Sequence, residues 1–288
     1  MPGIRDTAYP ELKSAPSAKE LGDVYTPNFV ELVWAEKRTR EPAPRVGLLA
    51  LLKTFQRLGY FMSLADVPVS LLEHVARSAG YDSVPDDLFR YDASSVRRRH
   101  MLLIRDYAGV KAWGEEAQAA MEKASAHAAR THEDLPDIIN VVLEQFVRQR
   151  FEFPAFSVLQ RAAQHARAAA NREYQSLVCD RLGSASRERL AILLTRVDDE
   201  TKSPWYRLKG EPKQPTAQNN REFLDHLGWL KGQAIGPSIF RDIPDVKLKQ
   251  FAAEARSSWD SASRSLPVKS SSFKMNHSTA RPSYLIVN

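Results

Sequence analysis

Three arginines and a histidine, Arg97-Arg98-Arg99-His100, stand side by side in the run SSVRRRHMLLIRDY at residues 94–107, directly before an apolar stretch. A guanidinium makes forked, charge-assisted hydrogen bonds to phosphate oxygens, so a row of them at a helix start is chemistry suited to a polyanion. Ser94 or Ser95 is a good N-cap. The first turn of a helix holds the positive end of the peptide dipole, where acidic residues are favoured and arginines are not. Three arginines there cost some stability, which a bound anion would offset. Arg98 and Arg105 are seven residues apart and share a face, with Lys111 just beyond. The competing reading is a solvated basic surface partly neutralised by Asp92 and Asp106.

Two further constellations point the same way. Residues 134–182 read as helix, break and helix, with Pro154 in the break. The second helix carries Ser157, Gln160, Arg161, Gln164, His165 and Arg167. Gln and Arg pair with adenine and guanine edges, and a helix after a turn is how a helix-turn-helix protein enters the major groove. This break is longer than in a minimal helix-turn-helix, and an alanine-rich helix with a wet polar face fits the pattern equally well. The third constellation is the loop bearing Trp205, Arg207, Lys209 and Lys213. A basic loop with an aromatic can follow a backbone or enter a minor groove, although a mobile connection is the commoner use of such a segment.

Catalytic patterns are missing. The chain has no GxxxxGK[ST], HExxH or GxSxG. Cys179, the single cysteine, sits among apolar residues and reads as packing. His127 and His132 are five apart and fall on different helix faces. The acidic run Asp198-Asp199-Glu200 reads as a solvated helix end. No catalytic residue, metal ligand, cofactor or small-molecule substrate is therefore expected.

The elements that must hold these groups are helices. Strict alternation is absent over any useful length, so the chain reads as all-α. Helices are expected at Asn28–Arg40 with Phe29, Leu32 and Val33 inward, and at Arg45–Leu58 with Leu48, Leu51, Leu52, Phe55 and Leu58 on one face, closed by Gly59. The next is capped by Asp66, has Pro68 near its start and ends at Gly80, with Leu72, Val75 and Ala76 inward; the arginine-bearing helix 94–108 stops at Gly109. A polar connector spans 114–131. An apolar helix follows from Asp134 with Ile139, Val142, Leu143, Phe146 and Val147 inward, and a long one runs from Ser157 to about Leu182. Ser186 caps a short helix. Two more, at about 218–231 and 245–259, bury Phe223, Leu227 and Leu230 and then Leu248, Phe251, Ala252 and Ala255.

The chain of 288 residues carries a net charge of +6, which suits a polyanionic partner. Its longest apolar run, Val46–Leu52, is far short of the roughly 20 residues a membrane span needs. The opening residues lack the apolar core of a signal peptide. One cysteine rules out an intrachain disulfide and makes a reducing cytoplasm the expected compartment.

Taken in order, these segments resemble the DNA-binding N-terminal region of transposases from replicative transposons of the Tn-three family. PRVGLLALLKTFQRLGYF, ADVPVSLLEHVARSAG, RRRHMLLIRDYAGVKAW, FPAFSVLQRA and IPDVKLKQFAAEARSSWDSASRSLP carry the likeness, over roughly residues 20–267. Arg97, Arg98, His100, Ile104, Arg105, Gly109 and Lys111 match the family's arginine-rich signature, while Ala108 and Val110 depart from it. The resemblance implies recognition of terminal inverted repeats in double-stranded DNA. Family catalysis uses a long C-terminal ribonuclease-H-like part with three magnesium-holding acids, and nothing in this sequence corresponds to it. After RSLP the pattern stops, and Val268–Asn288 reads as a disordered, non-native tail, as a frameshift or truncation would leave.

The expected organisation is a first helical DNA-binding unit at 1–112, a second at 113–197 with helix-turn-helix character, a basic loop and helical segment at 198–267, and the tail. Arg97, Arg98, Arg99, His100, Arg105 and Lys111 would hold phosphates. Ser157, Gln160, Arg161, Gln164 and Arg167 would read bases, and Arg207, Lys209 and Lys213 would add backbone contacts. The chain would bind as a non-catalytic transposase fragment, alone, as a homodimer or with full-length transposase. Two other readings stay open: an enzyme of unrecognised chemistry, and a helical interaction scaffold that represses transposition by pairing with the full-length protein.

Overall fold

The computed structural model describes residues 3–194, 213–233 and 236–262. Among them the fold is all-α, with no strand and one isolated parallel bridge between Lys111 and Phe151. The helices are α1 (Ala18–Glu20), α2 (Phe29–Glu36), α3 (Pro42–Leu58), α4 (Val69–Ser78), α5 (Leu88–Asp92), α6 (Ser95–Ala108), α7 (Glu115–Ala129), α8 (Leu135–Gln149), α9 (Phe156–Arg181), α10 (Ser184–Leu194), α11 (Ala217–Gln233) and α12 (Asp245–Ala262). They pack as two units. One holds Met1–Ala129 with Asp134–Arg167, and the other Arg130–Glu133 with Ala168–Asn288. The boundary in the long helix α9 falls between Arg167 and Ala168.

The first unit is organised around α3. Val46, Leu48, Leu49, Ala50, Leu51 and Leu52 are consecutive or nearly so, and all are fully buried. A helix apolar all round belongs inside a core rather than on its edge, so the single inward face expected from the sequence is too narrow. The polar residues of α3 are satisfied locally: Thr54 Oγ1 donates to Ala50 O at 2.8 Å, and Lys53 Nζ reaches Glu31 at 3.2 Å. Helices α2, α4, α5 and α6 and the turn Leu21–Tyr25 pack around it. Gly47 allows the closest of these approaches, since a methyl there would lie 2.3 Å from the Tyr91 ring of α5. Gly59 ends α3 in the left-handed region at φ 75°, as expected.

Two sequence readings fail on α2 for one reason. Phe29 is 80% exposed and Val33 only half-buried, whereas Glu31 and Ala35 face the core. Glu31 is drawn inward by Lys53 and by Gln56 Nε2, which donates at 2.7 Å, and that charge pairing sets the helix's rotation. Asn28 and Glu31 form a reciprocal capping box at its start. Helix α5 has no counterpart among the helices expected from the sequence, and Pro68 is itself the N-cap residue of α4.

Helix α7 is no connector. Its small residues Ala117, Ser125, Ala128 and Ala129, with Met121, are buried, and it packs along α8. On α8 the apolar stripe Ile138, Ile139, Val142, Leu143 and Phe146 is buried, but Val147 points outward. The N-terminal lead is anchored as well. Tyr9 stacks on Tyr60 at 5.3 Å between centroids, meets Phe156 edge-on at 5.5 Å, and donates from its hydroxyl to Pro154 O at 3.0 Å.

In the second unit Tyr174, Val178, Leu182, Leu190, Leu193, Ile239, Ile243, Phe251 and Ala255 form the core. Lys247 is fully buried and donates to Glu133 and, at 3.0 Å, to Asn171 Oδ1. Arg130 forks onto Glu173 at 3.1 and 3.0 Å. On α11 Phe223 and Leu230 are half-buried, but Leu227 is exposed, against expectation, and so is Leu224. Among the described residues no helix is long and apolar enough to cross a membrane.

Candidate nucleic-acid interface

Helix α6 forms where the sequence places it. Ser94 Oγ accepts from Arg97 N at 3.3 Å, and Gly109 closes it with φ 63°. Within it the basic cluster divides. Arg97 turns inward: its Nε lies 2.7 Å from Asp92 Oδ1, and its Nη2 donates to Met62 O at 2.8 Å. Asp92 is itself held by Ser63 Oγ at 2.6 Å and Leu64 N at 3.0 Å. His100 is 4% exposed and its Nδ1 lies 2.8 Å from the Tyr91 hydroxyl. Burial, and then the nearby Arg99 cation, push its pKa down to about 4. It packs as a neutral ring and does not present a charge to solvent.

Arg105 is the second inward arginine. Its Nε lies 2.7 Å from Glu152 Oε2, and its guanidinium sits 5.0 Å from the Phe61 ring centroid. Lys111 is exposed, pairs with Glu116 at 2.7 Å and lies 5.0 Å from the Phe151 ring centroid. So of the six basic positions expected on phosphates, Arg97, His100 and Arg105 are used inside the fold, and Lys111 is paired at its edge. Arg98 and Arg99 are exposed, and neither meets a carboxylate among the described residues. They share their face with exposed Ser95 and Leu102.

The stretch between α8 and α9 is held by backbone bonds. Lys111 N donates to Arg150 O at 2.8 Å, Glu152 N to Lys111 O at 2.9 Å, and Phe153 N to Gly59 O at 2.9 Å. Arg150 sits in the left-handed region at φ 56° and turns the chain out of α8. Helix α9 then starts at Phe156, one residue before the expected cap, so Ser157 lies within its first turn. Leu159 and Ala163 are buried beneath it. Ser157 and Arg161 are exposed, and Gln160, Gln164 and Arg167 are half-exposed. Arg161 Nε rests on Ser157 O at 3.3 Å.

Of the third constellation, Trp205, Arg207 and Lys209 lie outside the described residues, as do Asp198, Asp199, Glu200 and the tail. Lys213 is exposed and pairs with Glu222 at 3.4 Å. Among the described residues no group of three His, Cys, Asp or Glu side chains is placed to hold a metal ion. Reading the sequence missed Glu152 and Tyr9, both of which fix the turn before α9. The Glu152 carboxylate, 47 residues from Arg105, left no local signal.

Residues 3–166 match the family described as a domain of unknown function, DUF4158, and the chain belongs to that family. Over 251 residues it is 29% identical to an Escherichia coli protein named the transposase for transposon Tn3926. That alignment covers 84% of this chain and 24% of the other, so the chain spans about a quarter of that relative's length. The match bears out the resemblance to Tn-three transposases read from the residues.

Proposed function

We propose that this chain binds double-stranded DNA at the terminal inverted repeats of a transposon, as the end-recognising portion of a transposition protein. The observation that carries the reading is the open face of α9: Ser157, Gln160, Arg161, Gln164 and Arg167 recur at helical spacing while Leu159 and Ala163 on the other side are buried. A helix so mounted presents guanine- and adenine-pairing groups outward without disturbing the core. Arg98 and Arg99 add phosphate contacts from α6, and the basic segment near Lys213 adds more. The likeness to an Escherichia coli transposase supports the same reading.

The test is titration of the purified chain with a duplex carrying the Tn3926 terminal repeat and with a scrambled duplex of equal composition, at several salt concentrations. The repeat is expected to bind at least about tenfold tighter, with log K falling steeply as log salt rises. Equal affinity for both duplexes would refute sequence recognition. Salt-independent binding would refute phosphate contact.

A further inference from the structure

We infer that α6 and the first three turns of α9 form one rigid DNA-reading head, whose two helices meet the duplex at a fixed separation held by the Arg105–Glu152 pair together with the backbone bonds of the α8–α9 turn. The inference rests on the DNA-binding reading above and goes beyond it, since two helices joined by a loose linker would tolerate many separations.

The geometry is contained in the first packing unit. Arg98 and Arg105 lie on one ridge of α6, seven residues or about 10 Å apart along the axis. The near end of that ridge is clamped: Arg105 Nε meets Glu152 at 2.7 Å, with 18% and 11% of the two side chains exposed. Glu152 precedes the start of α9 by four residues. The far end of the ridge, Arg98, is open to solvent. Arg98 thus lies about 10 Å along α6 from the arginine clamped to the turn that leads into α9, a short distance beside the roughly 34 Å of a DNA turn.

Further ties hold the α8–α9 turn in place against its neighbours. Lys111 and Phe151 form the parallel bridge, Gly59 O accepts from Phe153 N, and the Tyr9 hydroxyl donates to Pro154 O. The two open faces carry their polar groups at the same helical spacing. Ser95, Arg98, Arg99 and Leu102 on α6 occupy the same i, i+3, i+4, i+7 positions as Ser157, Gln160, Arg161 and Gln164 on α9. Leu102 is 62% exposed beside two arginines and offers an apolar surface to a thymine methyl. Arg105 and Glu152 are accordingly positioning residues. They hold the helices that touch DNA and do not touch it themselves.

The experiment selects duplexes from a randomised library with the full chain and then moves the enriched blocks apart. Two blocks are expected at a single separation, one weakened by Leu102→Ala and the other by Arg161→Ala. Inserting five base pairs between them, about half a turn, is expected to lower affinity at least about tenfold. Glu152→Gln, checked for folding by its thermal transition, is expected to select the same blocks with a wider spread of separations than the wild type. If the wild-type chain binds the inserted duplexes within about twofold, the rigid head is refuted, while DNA recognition stands. If no block is enriched at all, the DNA-binding reading fails and takes this inference with it. The insertion series needs no variant, so it tests the rigid head even where the Glu152→Gln protein does not fold.

Discussion

Helices α6 and α9 carry similar side chains to different ends. On α6 the longest basic run of the chain is split, with Arg97 on Asp92, Arg105 on Glu152 and His100 under Tyr91, and only Arg98 and Arg99 stay in solvent. On α9 a thinner polar stripe remains on the outside along its first three turns. The difference lies in what is opposite each helix. Helix α6 faces carboxylates on α5 and on the α8–α9 turn, so its arginines become internal struts. Beneath the stripe of α9 lie the buried apolar residues Leu159 and Ala163. A charge run is thus interpretable only together with its counter-charges, and a strut and a ligand-binding residue look alike until those are placed.

Removing a strut tests this contrast most severely. Glu152→Ala leaves the Arg105 cation largely buried and unpaired, which is expected to cost about 4 kcal/mol in urea unfolding. A loss near zero would make Arg105 a surface residue after all. Acid probes α6 next. In the unfolded chain the His100 imidazole takes its proton near pH 6.5, but in the fold only near pH 4. Between those values the unfolded state binds more protons, so stability is full above pH 6.5 and falls as pH drops toward 4. The expected loss is about 3 kcal/mol, and His100→Gln should flatten that slope in pH-dependent unfolding.

Smaller effects are expected on the open faces. Arg161→Ala should leave stability within about 0.5 kcal/mol and weaken the preferred duplex by roughly 2 kcal/mol, with less loss on scrambled DNA. A uniform loss on both would make Arg161 a phosphate contact. The smallest expected effect is that of Arg98→Ala: weaker binding to all sequences alike, with the salt slope reduced by about 1. Finding Arg97→Ala equally mild would erase the division of α6 into strut and contact.

Much of the fold is legible because its helices announce their own ends. Ser94, Gly59 and Gly109 stand at the boundaries where the structure places them. What escapes is nonlocal. Six near-consecutive apolar positions in α3 resemble a one-sided stripe until the surrounding helices are known. Phe29 is expected inside because it is apolar, yet Glu31 takes the inward face because Lys53 and Gln56 are there to receive it. Helix α5, five residues between turns, is too short to show a period. For the candidate site, residue type marks the correct helices but not the direction of each side chain, since Glu152 is far along the chain from Arg105.

The four residues Arg130–Glu133, between α7 and α8, have a practical consequence. Arg130 and Glu133 find their ionic partners in Glu173 and Lys247, far downstream. The two units are therefore interleaved along the chain. A shortened version stopping at Arg167 would strand a carboxylate and a guanidinium, so loss of binding by such a truncation would not by itself map contacts to the deleted half. Point substitutions in the intact chain are the cleaner dissection.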